Sequence, residues 1–348
     1  METIKNNNIV WIDIAKFIAM FLVVFEHVVL AFKLDSTEYI GYIRHIVVTF
    51  HMPLFFILGG YLYKERSTFD NYNKILFSLV IPYLLYQFMY LPLKLGYYIG
   101  YEYIPAGIAT LKCFVGILLG DNLGTEGSKY ALSVCPACWF IMVMIQLRFI
   151  FAHIIITPKR LLFLSVLSFV TLLWLNIKHI DLYFCLDNTL YAIPYFSLGY
   201  CLKNYINFKD IETRKTYYLW SVIFCILLSV CYLLNKNYHS IFTIYGCGLI
   251  GSFLIISISN LWSNTNKFVN LIAKNTLFLI FFQSLFLFIT KWVKLPNIIQ
   301  YIPNVLEQFL FVLLYSGLIY IVSYFVILLI QKFNLNVILG KSKRSVQA

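Results

Sequence analysis

The sequence predicts an all-α membrane protein, a polytopic bundle of about ten transmembrane helices with the N- and C-termini on the cytoplasmic side. The first observation is the composition of the chain. Of the 348 residues, 61% are hydrophobic and only 12% are charged, whereas soluble domains carry about 25% charged residues. The second is that apolar runs recur along the whole chain, many of them long enough for the ~20 residues of a spanning helix. The third is that these runs are continuous rather than alternating, which favours helices over a closed barrel.

Ten segments have the length and composition of spanning helices. They are residues 9–32, 44–63, 75–98, 138–157, 160–177, 188–203, 216–234, 241–260, 271–290 and 304–331. A shorter apolar stretch, 104–120, is predicted to be a half-inserted or interfacial helix. Because no soluble domain interrupts the series, residues 1–348 are predicted to form a single membrane domain, and we expect no cleavable signal peptide.

Basic residues between the predicted helices are divided unevenly between the two sides of the membrane. If the N-terminus is cytoplasmic, sixteen Lys and Arg fall in cytoplasmic segments and nine, including Arg44, fall outside. This bias predicts that both termini are cytoplasmic. The net charge of +12 is then explained by topology and by contact with anionic membrane lipid, so we predict no nucleic-acid partner.

Two of the eight cysteines, Cys135 and Cys138, form the sequence CPAC in a segment predicted to lie outside the membrane. A C-x-x-C sequence can form a redox pair or half of a zinc site. No second pair and no His cluster accompanies it, so we predict no metal site and favour a structural role over redox chemistry. The remaining cysteines are predicted to be small buried side chains.

The first helix is unusual because residues 13–27, DIAKFIAMFLVVFEH, include four ionisable side chains. Lys16 and His27 are eleven residues apart, which places both on one helix face about 16 Å apart along the axis. Asp13 can pair with Lys16, whereas Glu26 points about 100° away from His27. Ionisable groups inside a membrane usually face a bundle interior or an aqueous cavity and are functional. The alternatives are that Lys16 snorkels to the headgroups and that His27 is a hydrogen-bonded core residue.

The second helix carries another imidazole, His51, in the sequence FHMPLFFILGGY at 50–61. If the first two helices are antiparallel neighbours, His27 and His51 both lie toward the outer half and can face one cavity. Gly59 and Gly60 would permit close approach of another helix backbone.

In these two helices, and in four later blocks, the chain resembles the membrane acyltransferase-3 family, which includes polysaccharide O-acetyltransferases. The first helix in that family typically reads D-x-x-R followed by His, which corresponds here to Asp13, Lys16 and His27. The second typically reads F-H-M-P-L-F-F-x-x-S-G-Y, which corresponds to 50–61. The later blocks, in the family's order and spacing, are IPYLLY at 81–86, WFIMVMI at 139–145, IPYFSLGYCLKN at 193–204 and IAKNTLFLIFFQ at 272–283.

The chain departs from the family pattern at several positions. Lys16 replaces Arg and provides a point charge rather than a bidentate fork. Gln283 occupies a position where the family often has His, and since Gln cannot shuttle a proton we predict no catalytic role for it. The family's basic pair before I-P-Y is reduced to Lys74, with Lys64 and Arg66 upstream.

The resemblance implies transfer of an acyl group, usually acetyl, from cytoplasmic acetyl-CoA to a hydroxyl of a cell-surface glycan or lipid-linked sugar. It also implies a multi-pass location in the bacterial cytoplasmic membrane. On this interpretation, Lys16, Lys74 and Arg66 hold the CoA phosphates, with Asp13 beside Lys16.

For the chemistry, the same interpretation makes His27 the general base toward the acceptor hydroxyl. We expect His51 to orient the acceptor or to stabilise the oxyanion. Glu26 is a third candidate, which could orient His27, although its direction on the helix argues against this. An acyl-histidine intermediate is an alternative course for the reaction.

Two other classes of function fit parts of the sequence. A secondary transporter or glycan exporter would also have many helices with intramembrane charges, but it would show flux without acyl-CoA dependence. An inactive member of the family would bind acyl-CoA without turnover.

Overall fold

A computed structural model describes residues 3–120, 131–205, 214–238 and 241–341. Within these ranges the regular elements are all helical, which confirms the predicted fold class. The α-helices are α1 Thr3–Ala31, α2 Glu38–Tyr61, α3 Thr68–Ile75, α4 Ile81–Gly100, α5 Ala106–Leu119, α6 Trp139–His153, α7 Pro158–Lys178, α8 Leu186–Asn204, α9 Arg214–Tyr238, α10 Ile241–Ser259, α11 Lys267–Ala273, α12 Thr276–Trp292 and α13 Val305–Lys332.

Eight segments of the described chain are long and apolar enough to cross a membrane, or nine if α11 and α12 together make one span. One of the eight, Thr68–Gly100, consists of α3 and α4 joined by a π-helical turn at Leu76–Val80. The segment predicted at 188–203 forms α8, but it is not among these candidate spans. The count of ten and the cytoplasmic side of the termini therefore remain predictions. The shorter stretch at 104–120 forms α5, which has 14 residues.

The span predicted at 271–290 is broken. Its two parts, α11 and α12, meet at an angle of 85° around Lys274 and Asn275. The break leaves Asn275 as the N-cap of α12, without a side-chain capping bond. Its side-chain amide instead donates to the Leu271 carbonyl at 2.6 Å.

The chain divides into two compact units, which we call the first and second unit. The first unit contains Met1–Tyr63, Tyr195–Leu279 and Phe286–Leu328. The second contains Lys64–Pro194, Ile280–Leu285 and Leu329–Ala348.

In the first unit, glycines bring α2 close to two other helices. A side chain at Gly60 would collide with the Phe196 carbonyl of α8, and one at Gly199 of α8 would collide with the Ile57 carbonyl of α2. The ring of Phe50 lies close to Gly251 of α10, so that a side chain at Gly251 would collide with the ring. These contacts fix the part of α2 that carries His51, and they confirm the close backbone approach predicted for Gly60.

Aromatic contacts hold α1 against α13, also in the first unit. The Tyr320 ring makes edge contacts with Phe17 and Phe21, and its hydroxyl donates to the Phe17 carbonyl at 2.9 Å. An apolar groove of about 450 Å³ lies beside them and includes Gly317 in its wall. The rotation of α1 about its axis is therefore set by packing along its length.

In the second unit, tyrosines of α4 tie neighbouring segments together. The Tyr83 hydroxyl donates to the Ile117 carbonyl, and the Tyr86 hydroxyl donates to the Ile338 carbonyl at 2.6 Å. Cys135 and Cys138 are fully buried in this unit, and the Cys135 amide donates to the Gln87 side chain at 3.2 Å. In the described ranges, no three His, Cys, Asp or Glu residues are grouped so that they could hold a metal.

Candidate functional site

The end of α1 carries a polar network that includes His27 and an ion pair between Glu26 and Arg44. The Glu26 carboxylate lies 2.9 Å from Nδ1 of His27 through one oxygen and 3.3 Å from Nη2 of Arg44 through the other. The prediction that Glu26 points away from His27 was wrong. Consecutive helical residues do start 100° apart, but the flexible Glu side chain turns back far enough for its carboxylate to reach the ring.

The hydrogen bonds of His27 determine which ring nitrogen carries the proton. Nδ1 lies 2.8 Å from the Val23 carbonyl as well as 2.9 Å from Glu26. Both neighbours can only accept, so Nδ1 carries the hydrogen of the neutral ring and Nε2 holds a lone pair. Since 35% of the His27 side chain is exposed, a substrate can reach the imidazole.

Arg44 is a site residue that the sequence reasoning missed. It was assigned to the outside segments, but it lies within α2, in the candidate span Tyr39–Tyr61. Arg44 precedes His51 by seven residues, or about two turns, so both belong to one helix face. That spacing was a signal in the sequence that could have identified it.

His51 belongs to the same network but is less accessible than His27. It is 5% exposed, and its Nδ1 lies 2.8 Å from the Val47 carbonyl. By the same argument as for His27, Nε2 of the neutral ring holds the lone pair. His27, His51 and Arg44 all lie close enough to Glu26 to interact electrostatically with its carboxylate, so the structure brings the three predicted catalytic residues together.

The other end of α1 carries Asp13 and Lys16, the predicted donor-binding residues of the first unit. Asp13 is buried, at 6% exposure, and the positive charges of Lys16 and Lys274 act on its carboxyl group. Lys274 was not predicted to be part of the site. It lies at the break between α11 and α12, which brings its charge to α1.

The remaining predicted anion-binding residues, Lys74 and Arg66, lie in the second unit. The charges of Arg66, Arg148 and Lys64 all act on Lys74, and we call these four residues the basic cluster. Lys64, Arg66 and Lys74 are exposed. Arg148, from α6, was missed because it falls in the middle of an apolar run. Four positive charges grouped in this way suit a ligand with several phosphate charges.

The geometry around His27 suits general base catalysis. A neutral imidazole fixed through Nδ1–H presents the lone pair of Nε2, and the carboxylate behind it stabilises the imidazolium formed on proton uptake. Arg44 in turn holds the carboxylate. The arrangement is that of a base, a residue that orients it and a residue that holds the orienting group in place.

The comparison with protein families supports the resemblance seen in the sequence. The sequence model of the acyltransferase-3 family, described as an acyltransferase domain, matches residues 9–332 of the 348. The chain belongs to the acyltransferase-3 family. No curated protein and no solved structure shows a significant match to it.

Membership of the acyltransferase-3 family confirms the resemblance seen in the sequence blocks and supports a multi-pass membrane acyltransferase. The matched range includes the whole network around His27 as well as the basic cluster. The residues that carry these two features are therefore part of the acyltransferase domain itself.

Proposed function

We propose that the protein is an O-acyltransferase that moves an acetyl group from cytoplasmic acetyl-CoA to a hydroxyl of a cell-surface or lipid-linked glycan. The observation that carries the proposal is the fixing of His27 by the Val23 carbonyl and the Glu26 carboxylate. It supports an accessible base whose Nε2 is ready to accept a proton. The acceptor class and the bacterial cytoplasmic membrane come from the family resemblance.

The proposed reaction has His27 at its centre. Nε2 accepts the proton of the acceptor hydroxyl as the hydroxyl oxygen attacks the thioester carbonyl. The new C–O bond forms, the C–S bond breaks, and the imidazolium returns its proton to the departing CoA thiolate. Proton transfer of this kind contributes typically about 10²–10⁴ in rate.

The residues around His27 have supporting roles in this proposal. Glu26 orients the ring and stabilises the imidazolium, and Arg44 orients Glu26. His51 is proposed to stabilise the oxyanion as an imidazolium, which carries a proton on Nε2 as well as on Nδ1, or to orient the acceptor hydroxyl as a neutral ring that accepts a hydrogen bond at Nε2.

The donor is proposed to bind through its phosphates. Lys16 in the first unit, which has Asp13 and Lys274 for neighbours, is one contact, and its axial distance of about 16 Å from His27 matches the extended arm of the donor. Lys74 and Arg66 of the basic cluster, in the second unit, are a separate candidate group for the phosphates, because several cations are needed to balance the phosphate charges of CoA.

The first test is transfer of labelled acetyl from acetyl-CoA to glycan in membranes that contain wild type, His27→Ala or His45→Ala. His45 is the matched control, because it is an exposed histidine on α2. All three proteins must insert to the same level. We expect transfer by wild type and His45→Ala and a loss of about 10²–10⁴ with His27→Ala. Equal transfer by all three would exclude His27 as the base, and glycan flux without acetyl-CoA would favour an exporter.

A further inference from the structure

Two lysines, Lys33 and Lys291, lie near each other at the end of α1 that carries His27. Lys33 follows the last residues of α1 in a left-handed conformation, with a φ of 57°. Lys291 lies in the last turn of α12. The charge of Lys33 acts on Lys291, so we call the two residues the lysine pair. Both lysines belong to the first unit, as His27 does.

The lysine pair is positioned by packing around Tyr315 of α13. The Tyr315 ring makes an edge contact with the Phe32 ring at 5.0 Å, and its hydroxyl shares a hydrogen bond of 2.6 Å with the Thr290 hydroxyl. Phe32 immediately precedes Lys33, and Thr290 immediately precedes Lys291. One tyrosine therefore holds together the two backbone segments that carry the lysines.

The charges of Lys33 and Lys291 have the same sign, and both side chains are exposed. Within the described part of the chain neither lysine forms an ion pair, although Asp35 follows Lys33 by two positions. Like charges that lie close together repel each other. A pair of ammonium groups without a counter-charge is therefore suited to bind an anion, whose oxygens accept charge-assisted hydrogen bonds from both.

The exposed surface of α1 connects His27 with the lysine pair. The His27 side chain is 35% exposed and Leu30 is 36% exposed, and residues three positions apart are neighbours on a helix surface. The Lys33 amide donates to the Leu30 carbonyl at 3.2 Å, so Lys33 follows Leu30 by one further turn. At 1.5 Å per residue, Lys33 lies about 9 Å beyond His27 along the axis. A molecule in contact with Nε2 of His27 can extend over Leu30 to the lysine pair.

We propose that the lysine pair binds an anionic group, a carboxylate or a phosphate, of the glycan whose hydroxyl accepts the acetyl group at His27. The anionic group lies on the acetylated sugar or on a neighbouring one. This inference rests on the proposed function, because it names the chemical class of the proposed acceptor. The headgroup of an anionic membrane lipid presents the same oxygens, so the test must separate the two sources.

The test measures acetyl transfer to glycan isolated from the source cells, by protein reconstituted in phosphatidylcholine vesicles, which contain no anionic lipid. The variants are Lys33→Gln, Lys291→Gln and the double variant. Lys294→Gln is the control, because Lys294 is an exposed lysine in the turn after α12. We expect each single variant to raise KM for the glycan by about two-fold to five-fold, and the double variant by about ten-fold. The kcat, and KM for acetyl-CoA, should stay within about two-fold of wild type.

Three results would overturn the inference. The first is an unchanged KM for the glycan in the double variant. The second is an equal rise with Lys294→Gln, which would indicate a general effect of surface charge. The third is a difference between wild type and the double variant that occurs only in vesicles containing phosphatidylglycerol, which would assign the lysine pair to lipid headgroups.

A binding measurement separates this inference from the proposed function. In a neutral detergent without acetyl-CoA, oligogalacturonate should raise the thermal stability of wild type and Lys294→Gln more than that of the double variant. Its methyl ester, which lacks the charges, should not distinguish the three proteins. If wild type transfers no acetyl, the proposed function fails, but this comparison still decides whether the lysine pair binds an anionic sugar.

The stability of the double variant without ligand serves as the check on folding. Because the two lysines repel each other, the double variant should be at least as stable as wild type. A lower stability would indicate that the lysine pair serves the fold, and would overturn the inference. Equal stabilisation of all three proteins by oligogalacturonate, or of none, would overturn it as well.

Discussion

The Glu26 carboxylate lies 2.9 Å from Nδ1 of His27 although the two residues are consecutive on one helix. The contact is possible because Nδ1 also points back toward the preceding turn, where it lies 2.8 Å from the Val23 carbonyl. The second carboxylate oxygen is 3.3 Å from Arg44 of α2. Arg44 of α2 thus holds in place the contact between the carboxylate and the imidazole of α1.

Replacement of Glu26 by Gln should lower the rate of acetyl transfer by about ten-fold to a hundred-fold, because an amide cannot stabilise the imidazolium as a carboxylate does. The measurement is kcat with saturating acetyl-CoA in membranes with equal amounts of protein. Glu307→Gln is the control, since Glu307 is exposed at the start of α13. A kcat for Glu26→Gln equal to that of wild type would show that Glu26 has no part in the reaction.

Arg44 should act on the reaction only through Glu26. We expect Arg44→Gln to lower kcat by about ten-fold, and we expect the double variant with Glu26→Gln to be no slower than Glu26→Gln alone. Residues that work as one unit give such non-additive effects. Arg44→Lys should recover part of the rate. Fully additive losses would instead indicate that Arg44 contacts a substrate.

Helical periodicity could predict only part of the geometry of the candidate site. Lys16 and His27 could be assigned to one face because the geometry of a helix fixes the direction of each Cβ. Glu26 could not be placed correctly, because side-chain torsions beyond Cβ decide where its carboxylate lies. Arg44 was missed because it occurs at a predicted helix boundary, and such boundaries are the least reliable part of a sequence prediction.

The sequence predicted the fold class and the approximate position of most helices, but it gave no sign of the break between α11 and α12. Sharp bends in helices usually occur at Pro or Gly, and neither is present where the bend of 85° occurs, at Lys274 and Asn275. The division of the chain into two units also depends on long-range packing, which periodicity does not reveal.

The packing of α2 against α8 predicts that replacing a glycine by alanine destabilises the protein at this interface but not at an open position. Gly60→Ala and Gly199→Ala should each lower the free energy of unfolding by about 1–3 kcal/mol, because the new methyl group collides with a backbone carbonyl. Gly317→Ala is the matched control, since a Cβ there meets nothing within 4 Å. It should raise stability by about 0.4–1 kcal/mol by removing freedom from the unfolded chain.

Reversible unfolding of the purified protein in mixed micelles measures this contrast. Activity measured at a temperature where all variants remain folded serves as the check that Gly317→Ala leaves the site intact. If Gly199→Ala were as stable as wild type, the close approach of α8 to α2 would be incorrect.

If the basic cluster binds the phosphates of the donor, its removal should affect donors with phosphate and not those without. Lys74→Gln, Arg66→Gln and Arg148→Gln should each raise KM for acetyl-CoA by about ten-fold or more, because each would remove a proposed charge-assisted contact to phosphate. The same variants should transfer acetyl from S-acetylpantetheine, which has no phosphate, at the wild-type rate. Lys178→Gln, at the far end of α7, should behave as wild type with both donors. An equal rise in KM for both donors would mean that the cluster stabilises the fold rather than the phosphates, and the donor's anionic end would then have to be assigned to Lys16 and Lys274 alone.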